Sequence, residues 1–338
     1  MIKLLLFILF QFYFCDKNIN INNSNIYINK KNVIISIIEN YSLDIIFPFF
    51  ASLVNINLQN CDIIIFVKNV SLFLLNFLKS NGIYVHEISG EYSNVSITNL
   101  RWKLYADFLK EKKSEYKLVF IADIRDTIFQ KDIFQYYQNY KPFIGISIED
   151  GNLNETSNRI WITNYVGEEK HEIIKNERII CLGTIWGTLD KILELSNIFW
   201  EKLEFNTNST DQGVANYLFY YEKIFNDCLI KSDNFGPVMT IGLSENKNII
   251  LDNQNNVLNF KGEIASVVHQ YDRKPHIVMR IINKLLYFYN KKINNEFNKI
   301  KQSHIMKENK TKSINTIKFL SFLECLTIIL LLKKSKMK

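Results

Sequence analysis

Two aspartates stand three residues apart in Asp123-Ile124-Arg125-Asp126, directly after the apolar run Tyr116 to Ala122. That run reads as a buried strand. In open α/β sheets, ligands bind beyond the carboxyl ends of the strands. Two carboxylates placed there can hold a hard divalent cation through oxygen. A cation between carboxylates and a diphosphate neutralises charge on a phosphate leaving group. Arg125, if it points inward, pairs with a phosphate or holds the two carboxylates apart. The bland alternative is an Asp–Arg–Asp network that only ties a tight turn.

Further candidates lie before and after this segment. His269 ends the apolar stretch Ala265 to Val268. A neutral imidazole suits a borderline metal such as Mn2+ beside carboxylates, although a strand-end histidine can also be a packed or surface residue. Arg273 and Lys274 follow as cations for a diphosphate, or as part of a solvated turn. Asp211 and Gln212 stand at a helix start, where an Asp is also a plain N-cap. Gly183 and Gly187 allow close backbone approach or mark a bulge. Arg101 lies on a helical stretch, and Trp102 and Trp186 read as core aromatics.

Apolar and helical segments alternate around these residues. Strands are expected at Val33 to Ile38, Asp62 to Val67, Ile83 to Glu87 and Tyr116 to Ala122. Helices are expected between them at Leu43 to Val54, Val70 to Lys79 and Thr98 to Lys112. Asn81-Gly82 supplies a C-cap signal for the second helix. Continuous β-branched runs alternating with helices predict an α/β fold, with a mostly parallel sheet covered on both faces. After Pro142 the expectation is a strand at Phe143 to Ile148, a polar loop over 149–160 and an apolar strand at Ile179 to Thr188. Helices follow at Leu189 to Leu203 and Asp211 to Tyr221. Short strands are expected near 238–241, 249–252, 257–260 and 264–269, and a long helix from His276 to about Ile300.

The chain has 338 residues, 47% hydrophobic and 22% charged, with 11 Gly and 4 Pro. Disordered, collagen-like and Pro-rich classes are excluded on that composition. The formal charge is +7, but residues 291–338 hold 12 Lys and 3 Glu, leaving 29 basic and 31 acidic residues elsewhere, a net of −2. The folded part is not basic, which argues against a nucleic-acid partner. Of five cysteines, Cys15 and Cys325 lie in or beside apolar ends. Cys61, Cys181 and Cys228 have no metal-ligand spacing and allow one disulfide or three small buried residues.

Met1-Ile2-Lys3 followed by Leu4 to Phe14 matches a secretory signal or a short anchor over 1–15. Ile314 to Leu332 is long enough for a transmembrane helix, with Glu324 as its costly residue and Lys318 able to snorkel. The basic tail 333–338 suits the cytoplasmic side. Lys334 and Lys336 resemble a dilysine retrieval signal. Asn-x-Ser/Thr sequons at Asn22, Asn40, Asn69, Asn94, Asn154, Asn208 and Asn309 agree with a lumenal body. The expected organisation is a catalytic domain over 32–275, a helical basic stalk over 276–313 and a single membrane span over 314–332. The expected location is the endoplasmic reticulum or Golgi membrane.

Arg101-x-x-x-Tyr105 leads to Tyr116-Lys-Leu-Val-Phe-Ile-Ala-Asp123-x-Arg125-Asp126-x-x-Phe129-Gln130-x-Asp132-x-Phe134. This resembles the core of nucleotide-sugar-dependent glycosyltransferases with the GT-A fold, in the Asp-x-Arg-Asp form of their Asp-x-Asp motif. Asn176 to Gly187 resembles the Gly-bearing strand that faces the donor sugar. Thr210-Asp211-Gln212-Gly213-Val214-Ala215-Asn216 resembles the family's Asp-Gln-x-x-x-Asn helix start. Val268 to Pro275 resembles the late His segment that completes the metal site. The likeness spans roughly 33–275.

This resemblance implies a GT-A-type, Rossmann-like catalytic domain and a nucleotide-diphosphate sugar as donor. Mn2+ or Mg2+ would be held by Asp126, His269 and Asp123. The usual motif spaces its acids two apart, so Asp123 either reaches the ion or serves the ribose beside it. Arg101, Arg125, Gly183 and Lys274 would contact the nucleotide or diphosphate. Asp211 and Gln212 would serve the transferred sugar or the acceptor's base. The acceptor would be a glycan, protein or lipid. Two alternatives compete: a non-catalytic lumenal sugar-binding protein on the same fold, and a haloacid-dehalogenase-like phosphatase. The phosphatase pattern wants an Asp where Arg125 stands.

Overall fold

The computed structural model describes residues 30–307 apart from 57, 89–94 and 205–208, and only the helical backbone of 292–307. The expected signal or anchor, the transmembrane segment, the basic tail, Cys15 and Cys325 lie outside the described residues. Among the described residues no helix is long and apolar enough to cross a membrane.

The β-branched runs become a seven-stranded sheet. Its strands are β1 (Lys31–Glu39), β2 (Cys61–Lys68), β3 (Tyr84–Glu87), β4 (Tyr116–Ala122), β6 (Ile144–Asn152), β7 (Arg178–Thr188) and β8 (Leu229–Ser232). Their spatial order is β3-β2-β1-β4-β7-β6-β8. β1 pairs parallel with β2 and β4, β2 with β3, and β6 with β8, whereas β7 runs antiparallel to both neighbours. The sheet is therefore mixed but mostly parallel, as the alternation of apolar and helical segments predicts.

Alternate residues of the central strands face opposite layers. Val33, Ile35, Val119 and Ile121 pack with Trp102, Tyr105 and Leu109 of α3 (Ile97–Glu111). The same layer takes Ile192, Leu195 and Phe199 of α6 (Leu189–Leu203), and Val214 and Leu218 of α7 (Asp211–Tyr220). Trp102 meets Phe199 edge-on with ring centroids 4.5 Å apart. Phe120 faces the other way, where its ring meets Phe129 at 5.5 Å and Trp186 at 6.0 Å. Phe129 in turn meets Phe49 of α1 (Leu43–Asn55) at 5.5 Å. Each such buried side chain contributes about 1.5–3 kcal/mol, so both layers anchor the strand ends that carry the polar residues.

A small three-stranded sheet, β5 (Thr127–Phe129), β12 (Val267–His269) and β9 (Val238–Thr240), lies in the order β5-β12-β9. The hairpin of β10 (Ile250–Leu251) and β11 (Val257–Leu258) is separate. The described chain falls into two units: 30–70 with 84–289, which holds everything above, and 71–83 with 290–307. The second contains α2 (Leu72–Ser80), whose N-cap Ser71 accepts from Leu74 N. It also contains the outer part of α8 (Pro275–Lys307).

Two sequence expectations fail. The loop expected over 149–160 is instead the end of β6 and α4 (Thr156–Val166). The carboxylate of Glu155 caps that helix by accepting from Ser157 N and Asn158 N. Only Asn158 and Ile162 of α4 are buried, so no apolar stripe announces it. α5 (Glu168–Ile174) was likewise not expected, and Gly167 with φ 82° separates the two helices. Cys61, Cys181 and Cys228 are all free, which settles the choice against a disulfide. Only Cys181 of the three is fully buried.

Candidate metal centre

The centre begins where β4 ends. Asp123 N donates to Gly183 O at 2.7 Å, which carries the β4–β7 ladder one residue past the pairing of Ala122 with Thr184. The chain turns through buried Ile124 and half-exposed Arg125 and enters β5. β5 pairs antiparallel with β12, placing Thr127 opposite His269. Asp126 O accepts from Gln270 N at 2.8 Å and pins the corner. The extra residue between the acids is thus taken up by a turn, and Asp126 still arrives beside His269.

His269 Nε2 lies 3.4 Å from Asp126 Oδ1 and 4.0 Å from Asp123 Oδ2. One ligand atom from each of the three residues lies within 4.8 Å of the others. Asp126 and His269 are buried, while the Asp123 side chain is 42% exposed, so the centre opens to solvent on the Asp123 side.

The residues fit a divalent cation on two observations. His269 Nε2 is buried and has no hydrogen-bond partner, although Asp126 Oδ1 is 3.4 Å away. Its Nδ1 lies 3.6 Å from Cys181 Sγ and 3.5 Å from Thr240 Oγ1. A proton held there leaves the Nε2 lone pair turned toward the carboxylates, the arrangement of a metal-ligating histidine. Secondly, a Cβ on Gly183 would overlap His269 Cε1 and Nε2 and stand 2.9 Å from Asp123 Oδ2. Only glycine leaves the space in front of the imidazole open. Carboxylate oxygens with one imidazole suit Mn2+ or Mg2+.

Electrostatics agree. Burial pushes the Asp126 carboxyl up, but His269 and Arg125 outweigh it and hold the group well below the ordinary carboxylate range. Burial disfavours the His269 cation, but Asp126 and Asp123 outweigh it and raise the imidazole. Burial pushes the Cys181 thiol well up, so it stays neutral. Arg125 Nη2 donates to Asp126 Oδ2 at 3.0 Å, and its Nε is 3.6 Å from Asp272. Arg101, buried on α3, bridges Asp123 Oδ1 at 2.8 Å and Asp211 Oδ2 at 2.6 Å. Asp123, Asp126, Asp211 and Asp272 outnumber the guanidinium groups of Arg101 and Arg125, so the centre is negative; the raised imidazole answers that charge with a proton, whose place a divalent cation would take.

Asp211 is not the helix cap. The N-cap of α7 is Thr210, whose Oγ1 accepts from Gly213 N at 3.3 Å. Asp211 Oδ2 accepts from Arg101 Nε, Arg101 Nη2 and Trp102 Nε1. Three donors on that one oxygen fix the carboxylate against Arg101 and Trp102. Asn216 fixes its helix by exchanging hydrogen bonds with Ile180 N and O on β7. Arg101, expected at the nucleotide, gives these donors to carboxylates and orders Asp123.

Two expected site residues are turned elsewhere. Gln212 Nε2 donates to Asn158 Oδ1 at 3.2 Å, toward α4. Lys274 Nζ donates to Ser244 O at 2.5 Å, and burial lowers its pKa. Gly187 serves packing, since a Cβ there would crowd Phe143 O and Ile144 Cα. Sequence reasoning missed Asp272 beside Arg125, and Tyr41, whose hydroxyl is pushed up by burial and feels Arg125, Asp123 and Asp126. It also missed the support behind His269, where Gln270 Nε2 donates to buried Glu149 at 3.1 Å. The signals available were Tyr41 just after a strand and an acid beside the His segment. A second cluster, Glu168, His171 and Glu172, has its acids paired with Arg159 and Lys175.

No protein-family model matches the sequence, and no curated protein does. Solved structures with a similar arrangement include a galactosyltransferase LgtC in complex with donor and acceptor sugar analogues. It is 12% identical with a TM-score of 0.43, over 75% of this chain and 95% of that one. An active-site mutant of LgtC is 13% identical, TM-score 0.41, over 70% and 86%. The glycosyltransferase GlyE of Streptococcus pneumoniae TIGR4 is 13% identical, TM-score 0.42, over 78% and 64%. These likenesses are weak in identity and in superposition, and the functional reading rests on the residues of the centre.

Proposed function

We propose that this chain is a glycosyltransferase that moves a sugar from a nucleotide-diphosphate donor to an acceptor hydroxyl, with a divalent cation, Mn2+ or Mg2+, in its site. The observation that carries the reading is the convergence of Asp123, Asp126 and His269 before the gap at Gly183. The resemblance of the four sequence motifs, in the same chain order, supports it.

Asp126 and His269 would hold the cation on the buried side, and Asp123 on the open side. Once bound, the cation supplies charge neutralisation for a diphosphate leaving group. Arg125 is half-exposed and bonded to Asp126 at 3.0 Å, so its guanidinium stands where it can also meet a phosphate oxygen beside that carboxylate. Arg101 and Asp211 keep Asp123 in place, which gives Asp211 a positioning role. Gly183 lets the donor approach the imidazole side. The acceptor is a glycan, a protein or a lipid.

The reading includes the location that the two apolar ends suggest: a single-pass protein of the endoplasmic reticulum or Golgi membrane, with its catalytic domain in the lumen. The direct test is a donor-hydrolysis screen of the purified protein across nucleotide sugars with Mn2+. Turnover of at least one donor, abolished by chelation and by Asp126→Ala, is expected. Intact Mn2+ binding without turnover of any donor would favour the non-catalytic sugar-binding alternative.

A further inference from the structure

A cavity of about 490 Å³ opens at the tip of the β6–β7 pair. Asn152 at the end of β6 pairs with Arg178 at the start of β7. Arg178 is three residues from Cys181, which touches His269. At about 3.3 Å per residue this puts the cavity on the order of 10 Å along the strand from the metal centre.

Its lining has two characters. On the polar side, Arg178 Nη2 donates to Asp150 Oδ1 at 3.1 Å, and its Nη1 is 3.5 Å from Asp233 Oδ2. Asp150 is fixed further by Asn234 Nδ2 at 3.0 Å and Ser244 Oγ at 2.5 Å. Asn152 and Asn176 add exposed amides. On the apolar side, Phe235 is 49% exposed, and Phe260 braces it edge-on at 5.4 Å with an interplanar angle of 86°.

Asp150 and Asp233 face Arg178, and Lys274 lies near Asp150, so the cavity has no surplus of positive charge to select an anion. Carboxylates accept hydrogen bonds, and amides both donate and accept. Such a set suits a neutral ligand rich in hydroxyl groups. A braced, half-exposed ring beside that set asks for an apolar face on the same ligand. A saccharide has both: hydroxyls around its rim and a C–H face for the ring.

We infer that the β6–β7 tip cavity is a saccharide-binding subsite for neutral sugars, with Phe235 as its platform and Asp233, Asn152 and Asn176 as its hydroxyl partners. Its assignment to the acceptor, holding a sugar unit remote from the reacting hydroxyl, rests on the glycosyltransferase reading. The binding of a neutral saccharide there does not.

The test uses the full chain, fluorescently labelled, on an array of immobilised neutral oligosaccharides with neither donor nor metal present. Binding to a subset of glycans is expected. Phe235→Ala and Asn176→Ala should each weaken it at least about tenfold, as expected for a ring and an amide that bind ligand. Both side chains are exposed, so neither change should disturb folding. Acceptor-independent donor hydrolysis with Mn2+ should be unchanged in both variants. No binding to any glycan would overturn the proposal. So would binding unaffected by both substitutions, or displacement of the glycan by UDP, which would make the cavity a nucleotide site. Glycan binding without hydrolysis of any donor would sink the glycosyltransferase reading and leave the subsite standing. Donor hydrolysis without glycan binding would do the reverse.

Discussion

Gly183 matters because of what it lacks. Its missing Cβ is the space in front of His269 Nε2. Gly183→Ala should leave the strand paired, since alanine is tolerated in a ladder, yet force His269 or Asp123 aside. Mn2+ affinity measured by calorimetry should then fall at least about tenfold, the loss typical when groups that set a metal site are displaced. Wild-type affinity in that variant would remove Gly183 from the site. Asp211 gives a second prediction at this scale. Asp211→Ala leaves buried Arg101 with Asp123 as its remaining carboxylate partner. Removing one side of a buried ion pair costs about 3–5 kcal/mol, which a urea titration would read. Thr210→Ala should cost only the loss of a cap, about 0.5–2 kcal/mol. If the two losses are equal and of cap size, Asp211 does not anchor Arg101.

Among the elements, the centre depends on one short strand. β5 has three residues, and its pairing with β12 brings Asp126 to His269. The strand is held from α1 by Ser52, whose buried Oγ accepts from Phe129 N at 2.9 Å and donates to Phe49 O at 2.7 Å. Ser52→Ala strands the Phe129 amide, with a desolvation cost of about 1–3 kcal/mol. The expected result is a stability loss of that size, together with faster hydrogen exchange at the Phe129 amide. Unchanged exchange would mean that the aromatic packing around Phe129 alone positions β5. α7 plays the matching part opposite, because Asn216 latches it to β7 and so aims Asp211 at Arg101.

For the whole molecule, the charge division matters most. The body is slightly acidic and the last 48 residues are strongly basic, with 12 Lys and 3 Glu. A basic end beyond an apolar stretch is the pattern of a cytoplasmic tail. Protease treatment of intact microsomes should therefore shorten the chain by only a few residues. Digestion of the body would reject the proposed topology. Changing Lys334 and Lys336 to Ser should shift the protein outward along the secretory route, and an unmoved protein would reject the retrieval signal.

By itself the sequence determined the sheet's strands, because Val33 to Ile38, Asp62 to Val67 and Tyr116 to Ala122 are continuous apolar runs that only a doubly covered sheet can bury. It also determined the helices of the first half, whose apolar spacing is strong. The candidate ligands were legible as residue types at strand ends: carboxylates at Asp123 and Asp126, an imidazole at His269. Polar α4 and three-residue β5 were not legible, because neither carries a periodic apolar signal and both are held by tertiary contacts. Nor could spacing tell that Asp211 serves Arg101 while Thr210 caps, or that Lys274 turns to Ser244. Those choices depend on which donor meets which acceptor once the chain is folded, across 110 residues for Arg101 and Asp211 and 30 for Lys274 and Ser244. Local sequence fixes which groups are available, and the packed layers decide which of them meet.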